Sequence, residues 1–369
     1  MLRALKPNLY YCLLIALVIG LTRCHDTIDM DTGKDLTHIA YQPVPYSPLI
    51  PPGFPALEQP GDNLMTIDGI RLGRKLFYDP ILSIDSSISC SSCHQQFGSF
   101  TDQLAISPGV AGMTSRSSMS LINIGFHHQG LFWDGRAQTL EEQALIPVEN
   151  STEMGESWER VEDKLQNHST YPSDFRKAFG IETSTMITKE LAAKALAQFE
   201  RSLISGGNTK YDRFARGEIF LDENEYNGFL MFFDFEPSVP DAECGHCHNA
   251  PLFATNDFFN NGLQESADFS GFTDNGLGIF TGKASDNGKF KAPTLRNIAF
   301  TAPYMHDGRF NTLEEVVEHY NSGGKASPNK NALLHPLHLT EGQKSDLIAF
   351  ILTLTDSSTL VNEAFQSPF

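Results

Sequence analysis

Four of the six cysteines fall in two short runs, Cys90-Ser-Ser-Cys93-His94 and Cys244-Gly-His-Cys247-His248. Cys-x-x-Cys-His spaces two thiols to form thioether bonds with the vinyl groups of a haem, and sets the adjacent histidine under the iron as its axial ligand. One such pair alone would equally suit zinc or dithiol redox chemistry. Two copies, both ending in histidine, point to two covalently bound haems c, with His94 and His248 on the irons. His246, inside the second run, is not read as a ligand. Cys12 and Cys24 lie in and just after an apolar N-terminal run, so no cysteine is left for a structural disulfide.

The elements that must position these runs read as helices. Ile70 to Tyr78 and Glu225 to Phe233 are short amphipathic segments ahead of the two runs, and 187–203 repeats apolar residues at helical spacing. Thr139 and Thr312 are N-cap residues with Glu142 and Glu315 three positions on, the pattern of a capping box. A last helix is expected after Thr340, with Leu347, Ile348, Ile351 and Leu352 as its buried stripe. The Gly- and Asn-rich stretch from Asn256 to Asn287 reads as long loops wrapping the second haem.

The chain also repeats itself. Ser120–Phe126 (SLINIGF) matches Thr294–Phe300 (TLRNIAF), and Asp134–Glu142 (DGRAQTLEE) matches Asp307–Glu315 (DGRFNTLEE), an offset of 307 − 134 = 173. Gly73-x-x-x-Phe77 precedes Cys90 much as Gly228-x-x-x-Phe232 precedes Cys244. Two copies of one unit, each with one haem run, divide the chain into 61–205 and 206–369. Residues 25–60, with Pro43, Pro45, Pro48, Pro51, Pro52, Pro55 and Pro60, read as a semi-rigid tether or surface arm. Residues 1–24 read as an export signal. Arg3 and Lys6 lead an apolar run from Leu9 to Leu21 that is short for a transmembrane helix, and Cys24 follows it as in a lipoprotein signal. Leu21-Thr22-Arg23 departs from the small residues usual before such a cysteine, leaving ordinary cleavage and a retained anchor as alternatives. All three place the folded part outside the cytoplasm, in the periplasm.

Beyond the haem runs, the motifs Phe132-Trp133-Asp134-Gly135-Arg136, Pro147-Val148-Glu149-Asn150 with Glu153-Met154, Pro293-Thr294-Leu295-Arg296-Asn297 and Ala302-Pro303-Tyr304-Met305-His306-Asp307-Gly308 resemble the bacterial dihaem cytochrome c peroxidases and their relative that matures methylamine dehydrogenase. The resemblance spans roughly residues 60 to 355. It implies an all-α fold with little β structure, made of two cytochrome c-like domains that each enclose one haem. It also implies reduction of hydrogen peroxide to water at the N-terminal haem, with electrons received at the C-terminal haem.

The same resemblance assigns further roles. Glu153 matches the distal acid–base residue; from the residues alone it is a glutamate in a polar loop. Gln143 matches a distal polar group and Trp133 a residue between the haems, whereas Glu141 and Glu142 read as helix-start charges. The sixth ligand of the second haem, Met or Tyr in the family, falls at Tyr320, with Met305 as the runner-up and His306 and His319 nearby. Subtracting the repeat offset, 320 − 173 = 147, gives Pro147, which cannot ligate iron. Many relatives close the first haem with a histidine between the first run and the next repeat motif. There is none here between His94 and His127, and His127 and His128 read as solvent-facing. The first haem is therefore expected open and the second closed. Calcium is a candidate between the domains, on carbonyls of Thr301 and Pro303, although the family's asparagine ligand falls at Ser117, after Arg116.

A net charge of −18 argues against nucleic acid as a partner and suits solubility or docking of a basic protein. The expected partners are peroxide and a small basic cytochrome c or cupredoxin, with a homodimer as the candidate assembly and membrane contact only through a lipid anchor. Two alternatives remain. One is oxidation of a protein or small molecule through a high-valent dihaem state, which a Tyr320 ligand would favour. The other is a non-enzymatic electron carrier, which would need both irons closed.

Overall fold

The computed structural model describes residues 34–127 and 130–369, so the export signal, Cys24 and His128 lie outside the described residues. Helices dominate: α1 (Ile67–Tyr78), α2 (Cys90–Cys93), α3 (Leu140–Glu149), α4 (Trp158–Gln166), α5 (Tyr171–Phe179), α6 (Lys189–Arg201), α7 (Lys210–Ala215), α8 (Glu223–Phe233), α9 (Leu277–Thr281), α10 (Leu313–Asn321) and α11 (Glu341–Leu352). Among the described residues, sheet is limited to two antiparallel pairs. Pro108–Gly109 (β1) pairs with Gly112–Met113 (β2), and Phe258–Phe259 (β3) with Phe290–Lys291 (β4). β3 and α9 lie in the stretch expected to be loop. No helix among the described residues is long and apolar enough to cross a membrane.

Each repeat builds the same helix crossing. A Cβ at Gly73 of α1 would lie 1.9 Å from the Ala195 carbonyl oxygen of α6, and one at Gly228 of α8 would lie 2.1 Å from that of Asp346 on α11. Only glycine admits so close an approach. One turn later Phe77 meets Phe199 edge-on at 5.1 Å, and Phe232 meets Phe350 at the same 5.1 Å. All four rings are buried. Each ring contributes about 1.5–3 kcal/mol of burial. These crossings centre two apolar clusters, one drawn mainly from 36–203 and one from 231–354.

The second turn of each repeat also folds alike. Asn123 and Asn297 both adopt left-handed backbone, at φ of 62° and 60°. Their side chains hold the segment that follows the crossing helix: Ser205 N donates to Asn123 Oδ1 at 2.9 Å, and Asp356 N to Asn297 Oδ1 at 2.6 Å. Thr139 and Thr312 cap α3 and α10 with nearly identical dihedrals. Only the second makes the full capping box. In the first, Glu142 reaches past its N-cap to Gln138 N at 2.8 Å. α11 caps on Thr340 as expected, but Leu352 is 43% exposed and Phe350 takes the buried place assigned to it.

Residues 36–369 form one unit. The proline-rich stretch lies along it: Tyr46 N donates to Met65 O, Ile67 N to Val44 O, and Phe54 packs edge-on against Phe126. The chain end crosses back to the first repeat, where buried Phe365 meets Phe100 and its carbonyl accepts from Tyr78 Oη at 2.6 Å. Arg296, fully buried, ties α7 to the Thr294–Phe300 segment through two bonds to Asp212, at 2.7 and 3.1 Å.

Candidate haem sites

Each Cys-x-x-Cys-His run opens on a cavity. The first is lined by Cys90, Cys93, His94, Phe132, Gln143, Pro147, Glu153 and Glu200, among others, around about 700 Å³ of atom-free space. The second, with about 1690 Å³ partly open to solvent, takes in Cys244, Cys247, His248, Trp133, Met305, His306 and Tyr320. Both walls are mainly apolar, as a flat macrocycle requires. The four thiols are free. Burial raises the pKa of every one, Cys93 to about 11 and Cys244 to about 12. A dithiol redox pair needs the opposite shift. Among the described residues the one metal-like cluster, Asp241, Glu243 and His246, includes none of these thiols, which disfavours zinc.

The histidines are oriented alike. His94 N donates to Cys90 O and His248 N to Cys244 O, closing each run into a turn. His94 Nδ1 pairs with Phe100 O at 3.0 Å, and His248 Nδ1 with Phe253 O at 3.3 Å and Pro293 O at 3.1 Å. A carbonyl on Nδ1 fixes the tautomer that leaves Nε2 free for metal. Burial lowers both pKa values, that of His248 to about 4, so both rings are neutral. The donors, the apolar walls and the ring orientation all fit haem c.

α3 and α10 cover the open side of the two cavities with matching positions. Gln143, Ala144 and Pro147 face the first; Val316, Val317 and Tyr320 face the second. Proline thus stands where the other repeat presents a phenol. Tyr320 is half-buried, and desolvation pushes its hydroxyl up to about 12. Its oxygen accepts from Asn261 Nδ2 at 3.3 Å, and the same nitrogen lies 3.4 Å from Met305 Sδ. Tyr320 and Met305 therefore share one corner of the cavity. His319 turns away, its Nε2 on Asn261 O at 2.8 Å, and His306 stacks on Phe290 at 3.6 Å. His127 pairs with Asn256 and is absent from the first cavity's lining.

Glu153 reaches the first cavity because the loop after α3 folds back, with Val110 N donating to Glu153 O. Asn150 Nδ2 donates to its Oε1 at 2.8 Å. Burial raises its pKa, and Arg136 opposes that only in part. Arg136 is itself held at 3.6 Å over the Phe132 ring and bonded to Asp134.

Phe132 lines the first cavity and the next residue, Trp133, the second, so the wall between them is one peptide thick here. Trp133 Nε1 donates to Ser117 O at 2.9 Å, and its carbonyl accepts from Lys291 N. Arg116 braces the same wall through Asp134 at 2.6 Å and Asp274 at 2.7 Å. Thr301, Pro303 and Ser117 line the second cavity together, and the Ser117 hydroxyl donates to Met305 O at 2.8 Å.

Glu141 stands in the first turn of α3, as expected of a helix-start charge, and also forms a two-bond ion pair with Arg201 at 2.8 and 2.9 Å. Glu200 was not anticipated; it is 5% exposed in the first cavity, and its place in the apolar-rich 187–203 helix was the available signal. His246 pairs with Glu243 at 3.1 Å and is absent from the lining.

Two Cys-x-x-Cys-His runs, each on its own cavity, fit the class of dihaem proteins, and comparison with known proteins supplies the family. Residues 68–219 match the di-haem cytochrome c peroxidase family model. A cytochrome-c peroxidase of Pseudomonas sp. (strain SCT) is 33% identical, covering 86% of this chain and 88% of its own. The methylamine utilization protein MauG of Methylorubrum extorquens is 33% identical over 81% of each chain. A crystal structure of a MauG-like protein associated with microbial copper homeostasis superposes with a TM-score of 0.78 at 36% identity, covering 88% of this chain and 99% of that one. The chain belongs to the di-haem cytochrome c peroxidase family, which implies two haems c and an oxidoreductase of the peroxidase or MauG kind.

Proposed function

We propose that this protein is an exported dihaem peroxidase that reduces hydrogen peroxide to water with electrons from a small cytochrome c or cupredoxin. The observation that supports it most is the asymmetry of the cavities. Pro147, which cannot ligate, faces the first beside Glu153, whereas Tyr320 and Met305 crowd the second. A peroxidatic iron needs an open face and an electron-transfer iron is usually closed. His94, tethered with Cys90 and Cys93, would hold the first haem, and His248 with Cys244 and Cys247 the second. When bound, the haems supply the redox chemistry.

The side chains supply the rest. Glu153 takes a proton from the bound peroxide oxygen and returns it to the leaving oxygen. Asn150 fixes that carboxyl, and Gln143 orients peroxide or water. Phe132 and Trp133 carry electrons across the thin wall. Thr301 and Pro303 would offer carbonyl oxygens to calcium, a hard cation; chelation that left turnover and both haem spectra unchanged would remove calcium from the reading. The −18 charge supports a basic donor. Turnover of peroxide with reduced cytochrome c, absent when either donor or peroxide is omitted, is the expected result; no turnover with any basic donor would sink it.

A second reading has its own support. Tyr320, lining the second cavity, would as a hard oxygen ligand favour higher iron states than a thioether does. The chain would then oxidise a larger organic or protein substrate, the reading that its likeness to MauG also supports.

A further inference from the structure

We propose that Glu200 is a redox-linked proton carrier of the first cavity, holding a proton while the N-terminal haem is reduced and releasing it when that haem is oxidised. This rests on the haem reading of the cavity. Glu200 projects from α6 one turn after Leu196, and both line the cavity with Cys90 and Met154. Its Oε2 is fully buried and accepts no hydrogen bond. The adjacent cation does not serve it, because both terminal nitrogens of Arg201 bind Glu141, which also accepts from Asn63 at 2.6 Å.

An unpaired carboxylate cannot stay charged in such a place. Burial pushes Glu200 up to about 8; Arg201 opposes this and Glu141 adds to it. The other titratable groups on the cavity are Cys90 and Cys93, whose thiols become thioethers, His94, held neutral, and Glu153. A glutamine would fill the same space without the desolvation penalty. An acid gains purpose there only beside a group whose charge changes.

Oxidation of the haem adds one positive charge to the cavity, and a nearby positive charge favours the carboxylate. The electron leaves to the external oxidant, the proton leaves Glu200 for solvent, and the net charge of the cavity is unchanged. Reduction returns both. Between the lower pKa of the oxidised state and the higher one of the reduced state, the midpoint potential therefore falls as pH rises. One proton per electron changes the equilibrium tenfold per pH unit, about 59 mV for a one-electron couple.

The test is a mediated spectroelectrochemical titration of the N-terminal haem in the holoprotein across pH 6–9. Wild type should show the falling potential, and Glu200→Gln a flat one with both haems retained by mass. A slope that survives in Glu200→Gln, or is absent in wild type, overturns the proposal. If Glu200→Gln does not fold, the oxidised-minus-reduced infrared spectrum of wild type decides: loss of a protonated-carboxyl band on oxidation supports the proposal, and its persistence refutes it. A chain with no haem on Cys90 and Cys93 would instead sink the haem reading itself.

Discussion

Glu153 lies in a cavity whose walls are apolar, and its nearest hydrogen-bond partner, Asn150, is neutral. Glu153→Gln keeps the shape and that partner but removes the base. Steady-state peroxide turnover should fall about a hundredfold or more, the usual contribution of a positioned acid–base group, with both haem spectra unchanged. Near-normal turnover would make it a loop residue. The pH profile follows from the direction of its shift. The base form is present above its pKa, and burial raises that pKa. The acid limb of turnover should therefore lie above the range of an ordinary exposed glutamate, and should vanish in the glutamine variant. At the second cavity, Tyr320→Phe separates the two residues that share Asn261. A tyrosine ligand predicts loss of the low-spin ferric signal in the variant. A sulfur–iron charge-transfer band that persists unchanged would assign Met305 and return the second haem to thioether ligation.

At the scale of elements, the repeat explains more than the haem runs. Gly73 and Gly228 were legible as matching letters, but their reason was not. Each admits the carbonyl of a helix more than a hundred residues later in sequence, a partner that no local pattern specifies. Gly73→Ala should lower the unfolding midpoint by forcing α1 from α6, a destabilisation of about 1–3 kcal/mol as for an overpacked core; an unchanged midpoint would show that the crossing is loose. Helix positions and caps were readable because capping and helical periodicity are local, whereas the Pro147–Tyr320 exchange followed from the family resemblance and the repeat offset. The departures are equally physical. The buried stripe of α11 shifted to Phe350 because its partner aromatics sit on α8. Glu142 and Glu315 carry the same motif letters, yet the carboxylate closes a full box only on the second helix.

At the scale of the molecule, the two cavities meet at a wall one peptide thick, and this depends on packing from both repeats. Arg116 and Trp133 from the first touch Asp274 and Lys291 from the second. Neither contact was legible in the sequence, since the repeat predicts two similar units but not how their faces meet. Glu200 stayed hidden for a related reason: its lack of a partner depends on Arg201 being bound to Glu141, a tertiary contact. The duplication also makes the proposed division of labour testable, because the same helical position carries proline in one copy and tyrosine in the other. The most direct measurement is the electron-paramagnetic resonance spectrum of the ferric protein as isolated, carrying two covalent haems. An open first haem and a closed second predict one high-spin and one low-spin signal of equal integrated intensity. Two low-spin signals would place a ligand on the first iron and contradict it.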